Sequence, residues 1–280
     1  MKTQLAQLVS MVLITMLIAT SVVAQESFKL EYKFEKGETY RYKDVTSGKM
    51  TQEMMGKEMK MSSEGEKVVK FIVDDVSKTG DFTITTSTDS MKIFSSTPMG
   101  DTTIYPKELL DKCTVAIFSK KGKKLSENVI DSIKQSSRLA GMASVEPIKF
   151  PILPDDAIAI GKTWNSLTVD TVDRMGGKVL TTTDIEFTLV GKEEKLNYDC
   201  LKITFKGKTE IEGKASVQGM ELMIEGSGKM NGSFYFDPKF GIVVFEETEI
   251  DSEMTMATTG EQAMLIPITQ FAKNIRTLVK

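Results

Sequence analysis

The chain contains no histidine, only two cysteines and a single tryptophan, and neither charge is in large excess. Histidine is the commonest general base near neutral pH and the commonest ligand for zinc, copper and non-haem iron, so several enzyme classes fall with it. A catalytic thiol at Cys113 or Cys200 lacks its usual activating partner for the same reason. With 36 basic against 39 acidic residues the net charge is −3, which provides no footprint for gripping a polyphosphate, and nucleic acid is not an expected partner. Phosphate loops and calcium loops of the familiar spacing are also missing: Met175-Gly-Gly-Lys178 precedes a strand pattern rather than a helix. No catalytic residue, metal set or cofactor is implied.

What is present is 280 residues with 40% apolar content, enough to bury a real core. Residues 1–24 read as a secretory signal, with Lys2, an apolar run from Leu8 to Ala19, and a small-residue end at Ser21-Val-Val-Ala24. Cleavage there leaves Gln25 first, a periplasmic or secreted chain, and no membrane span; an uncleaved anchor is the rival reading. In such a compartment Cys113 and Cys200 are open to two readings, a long-range disulfide or two separately buried thiols.

From Ser27 onward the pattern is strands and turns. Phe28, Leu30, Tyr32 and Phe34 alternate with polar residues, predicting one face of a half-buried strand. Further strand patterns cover Val68–Val73, Asp81–Thr88, Val179–Val190, Cys200–Lys206, Met220–Ile224, Gly232–Phe236 and Ile242–Met256. Helical spacing is confined to a short middle segment, Pro106–Lys112 and Ser126–Ala140. The expected fold is mainly β: curved antiparallel sheets in two possibly duplicated halves around that helical middle. The halves are 25–146 and 161–280, joined by a proline-rich connector, 147–160. An internal echo supports the division: Gly37-Glu-Thr-Tyr40 against Gly161-Lys-Thr-Trp164, and Phe71-Ile-Val73 against Phe187-Thr-Leu189.

The most unusual local feature is a methionine cluster. A tight turn at Met55-Gly56 pairs Met54 with Lys57, Gln52 with Met59 and Met50 with Met61, and alternation then puts Met50, Met54, Met59 and Met61 on one sheet face. Such a face suits core packing, an adaptable apolar binding surface, or a soft ion such as Cu(I). Trp164 is read as a core anchor, with a ligand-stacking wall as its other role. Glu247, Glu249, Asp251 and Glu253 share the opposite kind of face, a solvated acidic stripe that cross-strand lysines can neutralise.

Several phrases together resemble uncharacterised exported bacterial protein families: Tyr32-Lys-Phe34-Glu-Lys-Gly37-Glu-Thr-Tyr40, Met50 through Met59, Ile160-Gly161-Lys-Thr-Trp164 and Phe236-Asp-Pro238-Lys-Phe-Gly241. The Gly-x-Thr-Trp and Asp-Pro-Lys-x-Gly phrases are also similar to those of lipoprotein-carrier-like half-barrels. That likeness implies a curved antiparallel sheet around an apolar cavity. The expected function is non-enzymatic: an exported binding or carrier protein for a lipid or other apolar small molecule. The alternative is a structural or protein-interaction module of the bacterial envelope.

Overall fold

Apolar and polar residues alternate over unusually long runs, and the chain answers with strands of up to 20 residues, roughly 66 Å at the usual rise per residue. The computed structural model describes residues 26–54, 56–110, 112–129, 148–174, 177–217, 220–258 and 263–279. Among the described residues fourteen strands follow one another: β1 (Ser27–Phe28), β2 (Thr39–Met54), β3 (Lys57–Val76), β4 (Phe82–Thr97), β5 (Gly100–Ile104), β6 (Thr114–Phe118), β7 (Lys124–Val129), β8 (Ile158–Ala159), β9 (Thr163–Arg174), β10 (Gly177–Lys195), β11 (Tyr198–Val217), β12 (Met220–Asp237), β13 (Ile242–Thr258) and β14 (Leu265–Val279). Twelve of them form one antiparallel sheet in the order β7-β6-β4-β3-β2-β14-β13-β12-β11-β10-β9, with β5 beside β4. The proposed halves therefore share one sheet, fused where β14 pairs with β2.

The sheet coils until its edges face each other. Lys124 on β7 reaches Asp170 on β9, Nζ to Oδ1 3.3 Å. Glycines permit the tight coil over β11 and β12: a Cβ at Gly207 would lie 2.7 Å from the Asp184 carbonyl, and one at Gly226 would lie 2.8 Å from that of Glu253.

One end of the curl is filled. Leu30, Tyr32 and Phe34 are buried as their alternation predicts, yet they lie in an extended segment that threads inside the sheet instead of joining its ladder. Tyr32 N–H donates to the Lys120 carbonyl, Lys33 N–H to that of Gly241, and Tyr32 Oη to that of Pro151 at 2.9 Å. The connector supplies the rest of the plug. Phe150 packs edge-on against Tyr32, Phe71, Phe82 and Phe118, and Ile148 and Leu153 are buried. Three prolines deny this segment ladder donors, which suits it to an interior filler.

The internal echo falls on matching geometry. Gly37 and Gly161 both have positive φ, 89° and 83°. Gly37 N–H donates to the Val73 carbonyl and Val73 N–H back to that of Glu38; Gly161, Leu189 and Lys162 repeat this pattern. A bulge follows each of Val73 and Leu189. The turns at Gly122 and Gly241 correspond as well, each after an irregularity at Phe118 or Phe236.

Among the described residues the expected helical middle is not found. Pro106–Lys112 contains one 3-10 turn, Lys107–Leu109, too short to repeat its apolar stripe. Ser126, proposed to cap a helix, lies within β7, where pairing with Thr114–Phe118 overrides the helical spacing. The remainder of that segment, like residues 1–24, lies outside the described residues.

Candidate ligand chamber

Burial along single strands divides the interior in two. On β12, residues alternate exposed and half-buried from Glu225 to Gly232, then become continuously buried from Ser233 to Asp237. On β3 the concave-face residues Val73, Phe71 and Val69 are buried, whereas Met61 and Met59 are half-buried and Ser63 is exposed. A curled sheet with a filled interior buries every inward side chain. Inward residues that keep contact with water therefore mark a hollow beyond the aromatic plug.

The hairpin that positions the methionines has the expected register. Met54 faces Lys57, Gln52 faces Met59 and Met50 faces Met61, with Gly56 at φ 72° in the turn. Counting from buried Tyr42 by twos puts Met50 on the concave face, and Met59 and Met61 follow from Phe71; the Met54 side chain lies outside the described residues. Sequence reasoning missed the rest of the lining. Gly65 and Thr46 sit beside Ile93 and Asn274; one row further, Gly48 sits beside Ser63 and Ala272, with Ile250 and Met230 continuing the row. A Cβ at Gly65 would meet nothing nearer than 4.0 Å, and one at Gly48 would meet only Ser63 Oγ at 3.4 Å and the Phe271 carbonyl at 3.5 Å. At the far end Val179, Ala215 and Ile224 form a second small core with Ile211, Leu222, Met254 and Met256 packed against it. The hollow lies between the two cores.

A row of charges forms its floor. Adjacent strands bring Lys67, Asp44, Arg276 and Glu246 side by side on the concave face. Arg276 holds Asp44 by a two-pronged contact, Nε to Oδ1 2.8 Å and Nη2 to Oδ2 3.0 Å, while Nη1 donates to the Lys149 carbonyl at 3.2 Å. Burial opposes the Arg276 charge, but Asp44 outweighs it and raises the guanidinium pKa further. Burial also pushes the Glu246 carboxyl above its usual range, with Arg276 pulling partly back. Lys67 Nζ stands 3.7 Å from Asp44 Oδ2. Behind the row, Tyr42 Oη donates to the Val243 carbonyl at 2.7 Å.

Trp164 is not with the methionines. Its ring stacks on Phe187 at 5.1 Å, its indole N–H donates to the Ile152 carbonyl at 2.8 Å, and it borders a surface cleft of about 1170 Å³ at the plugged end. Cys113 and Cys200 are not joined to each other: Cys200 is a free thiol in the core, where burial pushes it up to about 12, and Cys113 is half-buried ahead of β6. The acidic stripe lies on the convex face, where Lys273 Nζ meets Glu249 Oε1 at 2.9 Å and Lys229 pairs in register with Asp251. On the same face β11 exposes Lys206, Lys208, Glu210, Glu212 and Lys214, the reverse of a lipid-facing band.

The region from the turn before β6 into the start of β13 carries the relationship to known proteins. Residues 106–243 match the model of a family of unknown function (DUF6263). The matched stretch crosses from the first half into the second, so the family unit includes the connector and the coiled β10–β12 wall. No curated protein matches the chain. Among the described residues, no helix is long and apolar enough to cross a membrane, and no three acidic or cysteine side chains gather as metal ligands.

Proposed function

We propose that this chain is an exported, non-enzymatic binding or carrier protein for a hydrophobic ligand in the cell envelope, and that the ligand lies in the chamber between the two cores. The observation that carries this reading is the half-buried state of Met50, Met59, Met61 and Met230 on a concave face whose convex side is charged. Flexible thioethers adapt to irregular apolar shapes, and the small neighbours Gly48, Gly65 and Ala272 leave room for a guest. The signal-like residues 1–24 support export, and the absence of histidine favours binding over proton-transfer chemistry.

Native mass spectrometry of gently purified protein tests it. A co-purifying lipid-sized mass, or uptake of an added long-chain probe that Gly65→Leu blocks without loss of fold, is the expected result. A bare chain that takes up no probe overturns it.

A second reading, an interaction module of the envelope, draws on the two sheet edges. Leu167 and Val169 on β9 and Leu125 on β7 are 69%, 59% and 52% exposed. Exposed apolar residues on edge strands suit strand addition by another protein. Pull-down of a partner that Leu167→Lys abolishes, with no lipid uptake, would favour it.

A further inference from the structure

The chamber's walls mix Met, Ile, Ala and Gly with Thr46, Ser63 and Asn274, its floor is charged, and the four floor charges are not equally engaged. Asp44 is 2% exposed and is saturated by the two Arg276 contacts. Arg276 spends its remaining Nη1 on the Lys149 carbonyl. Glu246, raised by burial, has Arg276 and Asp44 as its charged neighbours. Lys67 differs: its side chain keeps 42% exposure, and among the described residues its ammonium has only the 3.7 Å approach to Asp44, beyond hydrogen-bond reach. Around it stand Asp44 on β2 and Met91 on β4 in the same row, then Gly65 and Val69 along β3.

The geometry points to Lys67 as the contact for an oxyanion head group of a single-chain amphipath whose tail runs along Met61 and Met59, away from the aromatic plug. This inference rests on the chamber being a ligand site and adds which end of the ligand enters first and what charge it carries. From Lys67 to Met59 is eight residues of one strand, roughly 26 Å, long enough for an extended acyl tail. A hydrated lysine on a flexible stem is suited to a point anion, and the missing side chain at Gly65 leaves the space directly beside it clear. A cationic head is disfavoured there, since Lys67 and Arg276 flank the single floor carboxylate on that side.

Isothermal titration calorimetry of the whole protein with palmitate, hexadecyl phosphate and hexadecanol separates the possibilities. The two anions should bind about tenfold tighter than the alcohol. Lys67→Met should erase that preference by weakening both anions, and Lys67→Arg should retain it. Added salt should weaken the anions and spare the alcohol. Binding of palmitate but not hexadecyl phosphate, or the reverse, identifies the head group and keeps the inference. Equal affinity for anion and alcohol in the native protein, or a preference that survives in Lys67→Met, overturns it while the chamber reading stands. Failure of all three to bind removes both.

Discussion

Trp164 stacks face to face on Phe187, ring centroids 5.1 Å apart and planes 16° from parallel, and Tyr40 repeats the relation with Phe71 at 5.0 Å and 20°. The first pair has an extra anchor, the indole hydrogen bond to Ile152. Trp164→Phe keeps the stack and strands the Ile152 carbonyl, so it should cost about 1 kcal/mol. Trp164→Ala loses the ring too and should cost about 3 to 5 kcal/mol. Urea unfolding checks both, and equal costs would mean that the stack contributes nothing.

Glycine positions on the same concave face should respond in opposite ways. At Gly232 a Cβ would press on the Glu247 carbonyl and lie 2.6 Å from Phe205 Cζ; at Gly65 it meets open space. Gly232→Ala should therefore destabilise by more than about 2 kcal/mol through backbone displacement. Gly65→Ala should be neutral or stabilising by about 0.5 kcal/mol, because it restricts the unfolded chain. Thermal denaturation of the pair decides it: similar losses at both would show the chamber to be filled.

Local signals were legible, and long-range pairing was not. The Met50–Met61 register follows from one turn and strict alternation, both contained within about a dozen residues of sequence. Alternation at Leu30, Tyr32 and Phe34 revealed which side chains are buried, but an extended segment threaded through a coiled sheet alternates like a strand of the ladder, so its lying outside the main sheet was hidden. Ser126–Ala140 has helical apolar spacing, and only the partner Thr114–Phe118 shows that its first residues are strand. The floor of the chamber was invisible for a further reason. Asp44 and Arg276 are 232 positions apart, and nothing local announces that β14 returns to β2.

Thiol chemistry should distinguish the two cysteines. Burial raises Cys200 to about 12, so almost no reactive thiolate exists at neutral pH and access is closed as well. Iodoacetamide applied to native protein should leave Cys200 unmodified, with full labelling only in denaturant. Peptide mass mapping reads this directly, and rapid native labelling of Cys200 would mean that the core around Leu201 and Phe236 opens.

The seam between β7 and β9 should loosen without collapse of the fold. Lys124 and Asp170 are each about one-third exposed, so their ion pair is worth less than about 1 kcal/mol after screening. Asp170→Asn should nonetheless speed amide exchange along both edge strands, because among the described residues no backbone ladder joins them. Lys124→Met should do the same, and the double variant should add little. Unchanged exchange at Thr163–Arg174 would place the edge restraint elsewhere.

Glu246 provides a pH test with a definite sign. Burial lifts its carboxyl above the ordinary 4.5, and Arg276 offsets part of the rise while Asp44 adds to it. A raised folded-state value means that the fold prefers the protonated acid. The stability associated with that preference is complete below the unfolded value and is lost as pH climbs through the folded one. Glutamine resembles the protonated acid at every pH. Glu246→Gln should therefore gain stability relative to the native protein between pH 4 and pH 7, with the difference growing as the native carboxyl ionises. Urea melts of both proteins at the two pH values measure it. A difference that stays constant, or shrinks as pH rises, would mean that attraction to Arg276 exceeds the cost of burying the charge, and the floor would then carry a second full ion pair.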